Sequence, residues 1–99
     1  MIRKKWFVNP DYKNSYMDIL AEHLLPLRMK ADITQEELAQ IIGVSRQTYY
    51  AIENQKREMT WNTFLSLILF FDTNTDTHLM LRDVHAYPTD LMITMAGRS

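Results

Sequence analysis

Cysteine is missing from the sequence altogether, which removes disulfide scaffolds, thiolate zinc sites and cysteine nucleophiles and leaves nothing that points to an oxidising compartment. A reduced cytoplasm is the expected setting. Glycine occurs twice and proline three times in 99 residues, so no glycine-rich loop exists to cradle a phosphate and no flexible linker exists to separate domains. Long apolar runs are also lacking. The longest, FLSLILFF from Phe64 to Phe71, falls far short of the ~20 residues a membrane-spanning helix needs. The N-terminal MIRKKWFVNPDY starts basic like a secretory signal, but Asn9, Pro10 and Asp11 cut its apolar stretch short. Neither sign of charge dominates: the formal net charge is −1. The molecule is therefore no polycation, yet Arg3, Lys4 and Lys5, and again Arg46, Lys56 and Arg57, make two local basic groups. His23, His78 and His85 have no metal-ligand spacing, and no metal, cofactor or catalytic centre is expected. His78 and His85 would share a face only if one helix ran through both.

What is present is a helical vocabulary. Leu, Met, Ala, Glu and Gln are frequent, breakers are scarce, and 46% of residues are apolar, which suits a single all-α domain over 1–99. Asn9-Pro10 reads as an N-cap with proline at the first helical position, followed by apolar residues at helical spacing to Leu27. Pro26 interrupts this stretch, and a kink or break is expected near Glu22 to Leu25. Three later starts share one device. ITQEEL has Thr34 as N-cap and Glu37 three residues on, a capping box, with Ile33 and Leu38 placed as a hydrophobic staple. VSRQTY repeats the staple with Val44 and Tyr49 around Ser45, and MTWNTF repeats it with Met59 and Phe64 around Thr60. Short helices over about 34–42, 45–54 and 60–72 follow. After the polar DTNTDT, HLMLRDV suggests a further short helix and YPTDLMITM a last one, although LMITM also fits a strand.

Gly43 falls between the second and third of these helices, with Val44 as the only other linking residue. A left-handed backbone ends a helix in this way, and glycine adopts it without a Cβ penalty. The product is two steeply crossed helices joined by a tight turn. The stretch LRMKADITQEELAQIIGVSRQTYYAIENQKR, Leu27 to Arg57, resembles the DNA-binding domain of the phage-repressor and Cro-like (XRE) family. Leu27-Arg28, Thr34-Gln35, Glu37-Leu38-Ala39, Gly43-Val44-Ser45 and Ala51-Ile52-Glu53-Asn54 carry the likeness. It implies a lambda-repressor-like helix-turn-helix core over about 20–72, with extra N- and C-terminal helical segments, the latter over about 75–96.

Helical geometry divides the segment led by Ser45 into two sides. With about 100° per residue and Tyr49 at zero, Ile52 falls near 300° and Glu53 near 40°, whereas Gln47, Tyr50, Ala51 and Asn54 fall between about 100° and 200°. One side is core; the other is free. In a major groove, glutamine or asparagine can bond adenine bidentately and arginine can bond guanine, which suits Arg46, Gln47 and Asn54. Tyr50 and the small Ala51 complete that surface beside Ser45. Lys56 and Arg57, just beyond, are placed for phosphates, which position a protein without choosing sequence. The resemblance further implies a phosphate clamp at Gln35 and a structural ion pair between Arg28 and Glu53. The expected function is a sequence-specific transcriptional regulator bound to double-stranded DNA. The alternative is a protein-interaction module, such as an antitoxin, that holds a partner through the apolar fourth helix and C-terminal surface.

Three departures from the family pattern stand out. Asp32 replaces a frequent glycine after the first helix, and Gln55 replaces the glycine of an NGK motif, so the loop after the third helix is expected to be reshaped. The N-terminal residues could add a helix beside the usual first one, with Arg3-Lys4-Lys5 as a solvated tail. WNTFLSLILFF is apolar on a second face, at Trp61, Leu65, Leu69 and Phe70, which C-terminal helices or a second subunit must cover. A homodimer on a near-palindromic site is the favoured arrangement.

Overall fold

The protein, described from a computed structural model over residues 1–97, is built of six α-helices and one short 3-10 turn. In chain order these are the turn Lys4–Trp6, α1 (Pro10–Lys30), α2 (Gln35–Ile42), α3 (Arg46–Glu53), α4 (Trp61–Thr73), α5 (His78–Asp83) and α6 (Thr89–Met95). LMITM is helical, and no strand occurs among the described residues. No described helix is long and apolar enough to cross a membrane.

Each long helix starts where its side chains can satisfy the free N–H groups of the first turn. The Asn9 side-chain oxygen accepts from the Asp11 N–H at 2.8 Å. Thr34 and Glu37 form the full capping box: the Glu37 N–H donates to the Thr34 hydroxyl at 3.1 Å, and the Thr34 N–H donates to the Glu37 carboxylate at 2.9 Å. Ser45 and Thr60 cap α3 and α4 through the N–H groups of Thr48 and Thr63.

Pro26 does not break α1. The helix runs unbroken from Pro10 to Lys30, so the N-terminal residues lengthen the first helix and add no separate one. Pro26 and Glu22 both lie on the exposed side, where water can satisfy the carbonyl that the proline leaves free. On the opposite side Leu20, Leu24 and Leu27 are fully buried, and their packing holds the helix together across the proline. Burying a leucine contributes roughly 1.5–3 kcal/mol, comparable to the ~3 kcal/mol cost of an internal proline.

The helix ends share one solution. At Gly43 the backbone turns left-handed (φ 81°), and the Val44 N–H reaches back to the Ala39 carbonyl at 3.0 Å. The same five-residue reach closes α1 (Ile33 to Arg28, 3.4 Å), α3 (Lys56 to Ala51, 2.9 Å) and α5 (Ala86 to Leu81, 3.0 Å). The left-handed residues there are Asp32 (φ 54°), Gln55 (φ 56°) and His85 (φ 63°), none of them glycine. The loop after α3 therefore keeps the ordinary helix-closing geometry and is not reshaped; Gln55 simply adopts the conformation a glycine would. His85 lies beyond the end of α5, so it and His78 share no helix face. α4 ends differently, with the buried Thr77 hydroxyl donating to the Phe71 carbonyl at 2.7 Å.

α1 packs on α3 and α4, α2 packs on α3 and α4, and α5 lies against α4. Their shared core contains Leu38, Ala39, Tyr49, Ile52, Phe64, Leu67 and Phe71. Part of the second face of α4 is covered within the chain: Trp61 stacks on Phe64 at 4.9 Å, with the Lys13 ammonium over its ring at 5.1 Å. Leu69 stays 70% exposed. The turn Lys4–Trp6 lies against α6, while the side chains of Arg3, Lys4 and Lys5 are exposed to solvent.

Two substitutions test the helix ends by urea unfolding. Gly43→Ala should cost about 1 kcal/mol, wholly through the backbone, because an added Cβ meets no atom within 4 Å. Gln55→Gly should instead raise stability by about 0.5 kcal/mol, the relief of left-handed strain less the extra freedom of glycine in the unfolded chain. A Gln55→Gly variant with a lowered midpoint would show that Gln55 is not strained.

Candidate nucleic-acid interface

α3 is divided as its periodicity requires. Tyr49 and Ile52 are buried, while Arg46, Gln47 and Tyr50 are exposed and Ala51 is half-buried between them. Asn54 is exposed but is the C-cap of the helix rather than a member of it, and its amide donates to the Tyr50 carbonyl at 2.9 Å. Ser45 is exposed, yet its hydroxyl is committed to the cap, accepting from the Thr48 N–H at 3.0 Å and donating to the Thr48 hydroxyl at 2.9 Å. Lys56 and Arg57 are exposed directly after α3, with the Lys56 ammonium 5.9 Å from the centre of the Tyr50 ring. Arg46 and Gln35 line one cleft of about 540 Å³ at the N-terminal end of α2, shared with Arg28, Thr34 and Glu36.

Beneath this surface lies a buried polar cluster. The Glu53 side chain is 5% exposed and the Arg28 side chain 16%. Arg28 Nε donates to Glu53 Oε1 at 2.7 Å and Nη2 to Oε2 at 3.2 Å, a two-pronged pair, while Nη1 donates to the Ile33 carbonyl at 3.1 Å. The Tyr49 hydroxyl donates to Oε1 at 2.8 Å, and the Gln35 amide donates to Oε2 at 2.7 Å. Burial by itself would raise the Glu53 carboxyl pKa. The bonds from Arg28, Gln35 and Tyr49, with the Arg28 charge, outweigh it and hold that pKa below the ordinary glutamate value. Burial, reinforced by the bond to Glu53, pushes the Tyr49 hydroxyl far upward, so it remains a donor.

A family model described as a helix-turn-helix, of the Cro/C1 (XRE) type, matches residues 27–76, half of the chain. The chain belongs to the Cro/C1-type helix-turn-helix family. No curated protein and no solved structure matches it. In this helix-turn-helix protein α2 and α3 are the paired helices, Gly43 makes their turn, and the domain is a DNA-binding one of the kind found in transcriptional regulators.

The ion pair implied for Arg28 and Glu53 is present, and the helix-turn-helix depends on more of the cluster than the sequence disclosed. Tyr49 is core by its phase, but its hydroxyl role went unread, although a tyrosine four residues before a glutamate on one helix was a usable signal. Gln35, implied as a phosphate clamp, has its amide nitrogen bonded to Glu53 across 18 residues of sequence, and no local pattern announces that bond.

Because the folded-state pKa of Glu53 lies below its unfolded value, its contribution to stability is complete above about pH 4.3 and is lost as pH falls through the folded value. Glu37, lowered by its bonds to Thr34, acts with the same sign. Replacing Glu53 by alanine strands the Arg28 charge and should cost about 3 kcal/mol at neutral pH. Thermal unfolding from pH 7 to pH 3 should then show a flatter acid limb in Glu53→Ala than in the unaltered protein. Equal limbs would place the titration in other carboxyls.

Proposed function

We propose that this protein is a sequence-specific transcriptional regulator of the Cro type that reads DNA by inserting α3 into the major groove. The observation that carries the reading is the division of α3: Tyr49 and Ile52 are sealed in the core, whereas Arg46, Gln47 and Tyr50 face solvent around the half-buried Ala51. An arginine and a glutamine at the leading end of such a helix can bond guanine and adenine edges bidentately, each worth about 1–3 kcal/mol of discrimination. Lys56 and Arg57 supply phosphate contacts that raise affinity for any sequence. Ser45 and Asn54 serve mainly to start and end the reading helix, since both side chains bond their own backbone.

The acting unit is a homodimer. Ile41 and Leu69 are 61% and 70% exposed and line one cleft with Phe70, an apolar surface left open between α2 and α4. Two-fold pairing is the commonest assembly of identical chains, and two reading helices about one turn of DNA apart, roughly 34 Å, would select a near-palindromic site.

Selection of bound sequences from a random DNA pool should yield two half-sites related by a dyad. Arg46→Ala combined with Gln47→Ala should abolish that selectivity while moving the melting temperature by no more than a degree or two, since both residues are exposed. Loss of folding in the same variant would mean that core has been mistaken for reading surface. For the dimer, sedimentation of Leu69→Glu should give the mass of one chain where the unaltered protein gives two; unchanged mass would remove this surface from the interface.

A further inference from the structure

The residues on either side of the matched 27–76 build one feature together. The turn Lys4–Trp6 lies against α6, the Trp6 ring comes close to Gly97 just beyond that helix, and the Tyr16 hydroxyl of α1 donates to the Asp90 carboxylate at 3.3 Å. Between the turn, the start of α1 and α6 this leaves a cleft of about 670 Å³ whose lining includes Lys4, Lys5, Phe7, Tyr12, Asp90 and Ile93. Its apolar members are open to solvent, Phe7 by 55%, Tyr12 by 52% and Ile93 by 48%. Single exposed apolar residues are ordinary, but a concave group gathered from three elements marks a contact surface. The charges add a direction. Lys4 and Lys5 are both exposed at this cleft, and the two ion pairs among the described residues, Arg28–Glu53 and Arg82–Asp72, involve neither of them. Asp90 shares the cleft, but its carboxylate accepts from Tyr16 and pairs with no lysine.

From this arrangement we infer that the cleft docks a partner protein through a short acidic amphipathic segment, its apolar anchors seated on Phe7, Tyr12 and Ile93 and its carboxylates facing Lys4 and Lys5. Charge complementarity selects this occupant. A second copy of this chain, pairing cleft to cleft, would set the lysines of both copies in one contact, and like charges at an interface cost affinity. A nucleic-acid backbone would satisfy the lysines and leave the apolar floor unfilled. The cleft exists before the partner arrives, so little of its own surface has to be ordered on docking. None of the residues lining it belongs to α2 or α3, and docking here does not depend on α3 reading DNA.

Selection from a random peptide library on the full chain tests the assignment. Enriched peptides should carry bulky apolar residues flanked by aspartate or glutamate, and a synthetic peptide of that consensus should bind in calorimetry. Lys4→Glu combined with Lys5→Glu should weaken it roughly tenfold or more, while the melting temperature moves by no more than a degree or two because both side chains are exposed. A peptide whose carboxylates are exchanged for lysines should prefer that variant to the unaltered protein, a reversal that general damage to the fold would not produce. Ile93→Glu should abolish binding of the acidic peptide. An absence of enriched peptides, a consensus without acidic residues, or equal affinity for the unaltered and the Lys4→Glu, Lys5→Glu chains would overturn the inference. So would displacement of the peptide by a random-sequence duplex or by phosphatidylserine vesicles, which would assign the lysines to nucleic acid or to lipid instead.

Discussion

A single buried carboxylate ties together α1, α2 and α3, the helices around the helix-turn-helix. Removing a charge from water is unfavourable unless donors replace the lost hydration, and Glu53 meets that condition with donors from Arg28 on α1, Gln35 on α2 and Tyr49 on its own helix. Apolar packing of Leu38, Ala39 and Ile52 would tolerate small slides of α2 past α3, because methyl groups fit one another in several ways. Hydrogen bonds of 2.7–2.8 Å to fixed oxygens do not. The hydrophobic core supplies most of the stability, and the cluster at Glu53 supplies a definite relative position of α1, α2 and α3.

The charge distribution agrees with that division. The Glu53 carboxylate is paired with Arg28 and buried, while Arg46, Lys56 and Arg57 are exposed alongside Glu36 and Glu58. A formal net charge of −1 thus coexists with three exposed basic side chains at the two ends of α3.

Features governed by neighbours in sequence were legible before any coordinates. The Thr34–Glu37 box, the Ser45 and Thr60 caps and the left-handed Gly43 are each set by a few consecutive residues, and each occurs as the spacing requires. The two sides of α3 followed from its period. The Arg28–Glu53 pair was accessible only through the family resemblance, since 25 residues separate the partners. The break allowed for at Pro26 does not occur, because leucines on the far side of α1, whose burial depends on the tertiary fold, hold the helix together. Gln55 misled because its positive φ is accommodated where the N–H groups of Gln55 and Lys56 close α3 on the Ile52 and Ala51 carbonyls, so the loop kept its path. The Gln35–Glu53 bond had no local signature, because an exposed-looking glutamine at a helix start is what any soluble helix shows.

The flanks outside the family match have a meeting point of their own. The Tyr16 hydroxyl donates to the Asp90 carboxylate at 3.3 Å, and the turn at Lys4–Trp6 lies on α6. These partners stand 74 residues apart, so on the ribosome the early strip waits, uncovered, until nearly all of this stretch has emerged. From α6, Met92 lies against the main core and Leu91 is buried. The clasp between the two flanks therefore can close only after the helices between them have been made.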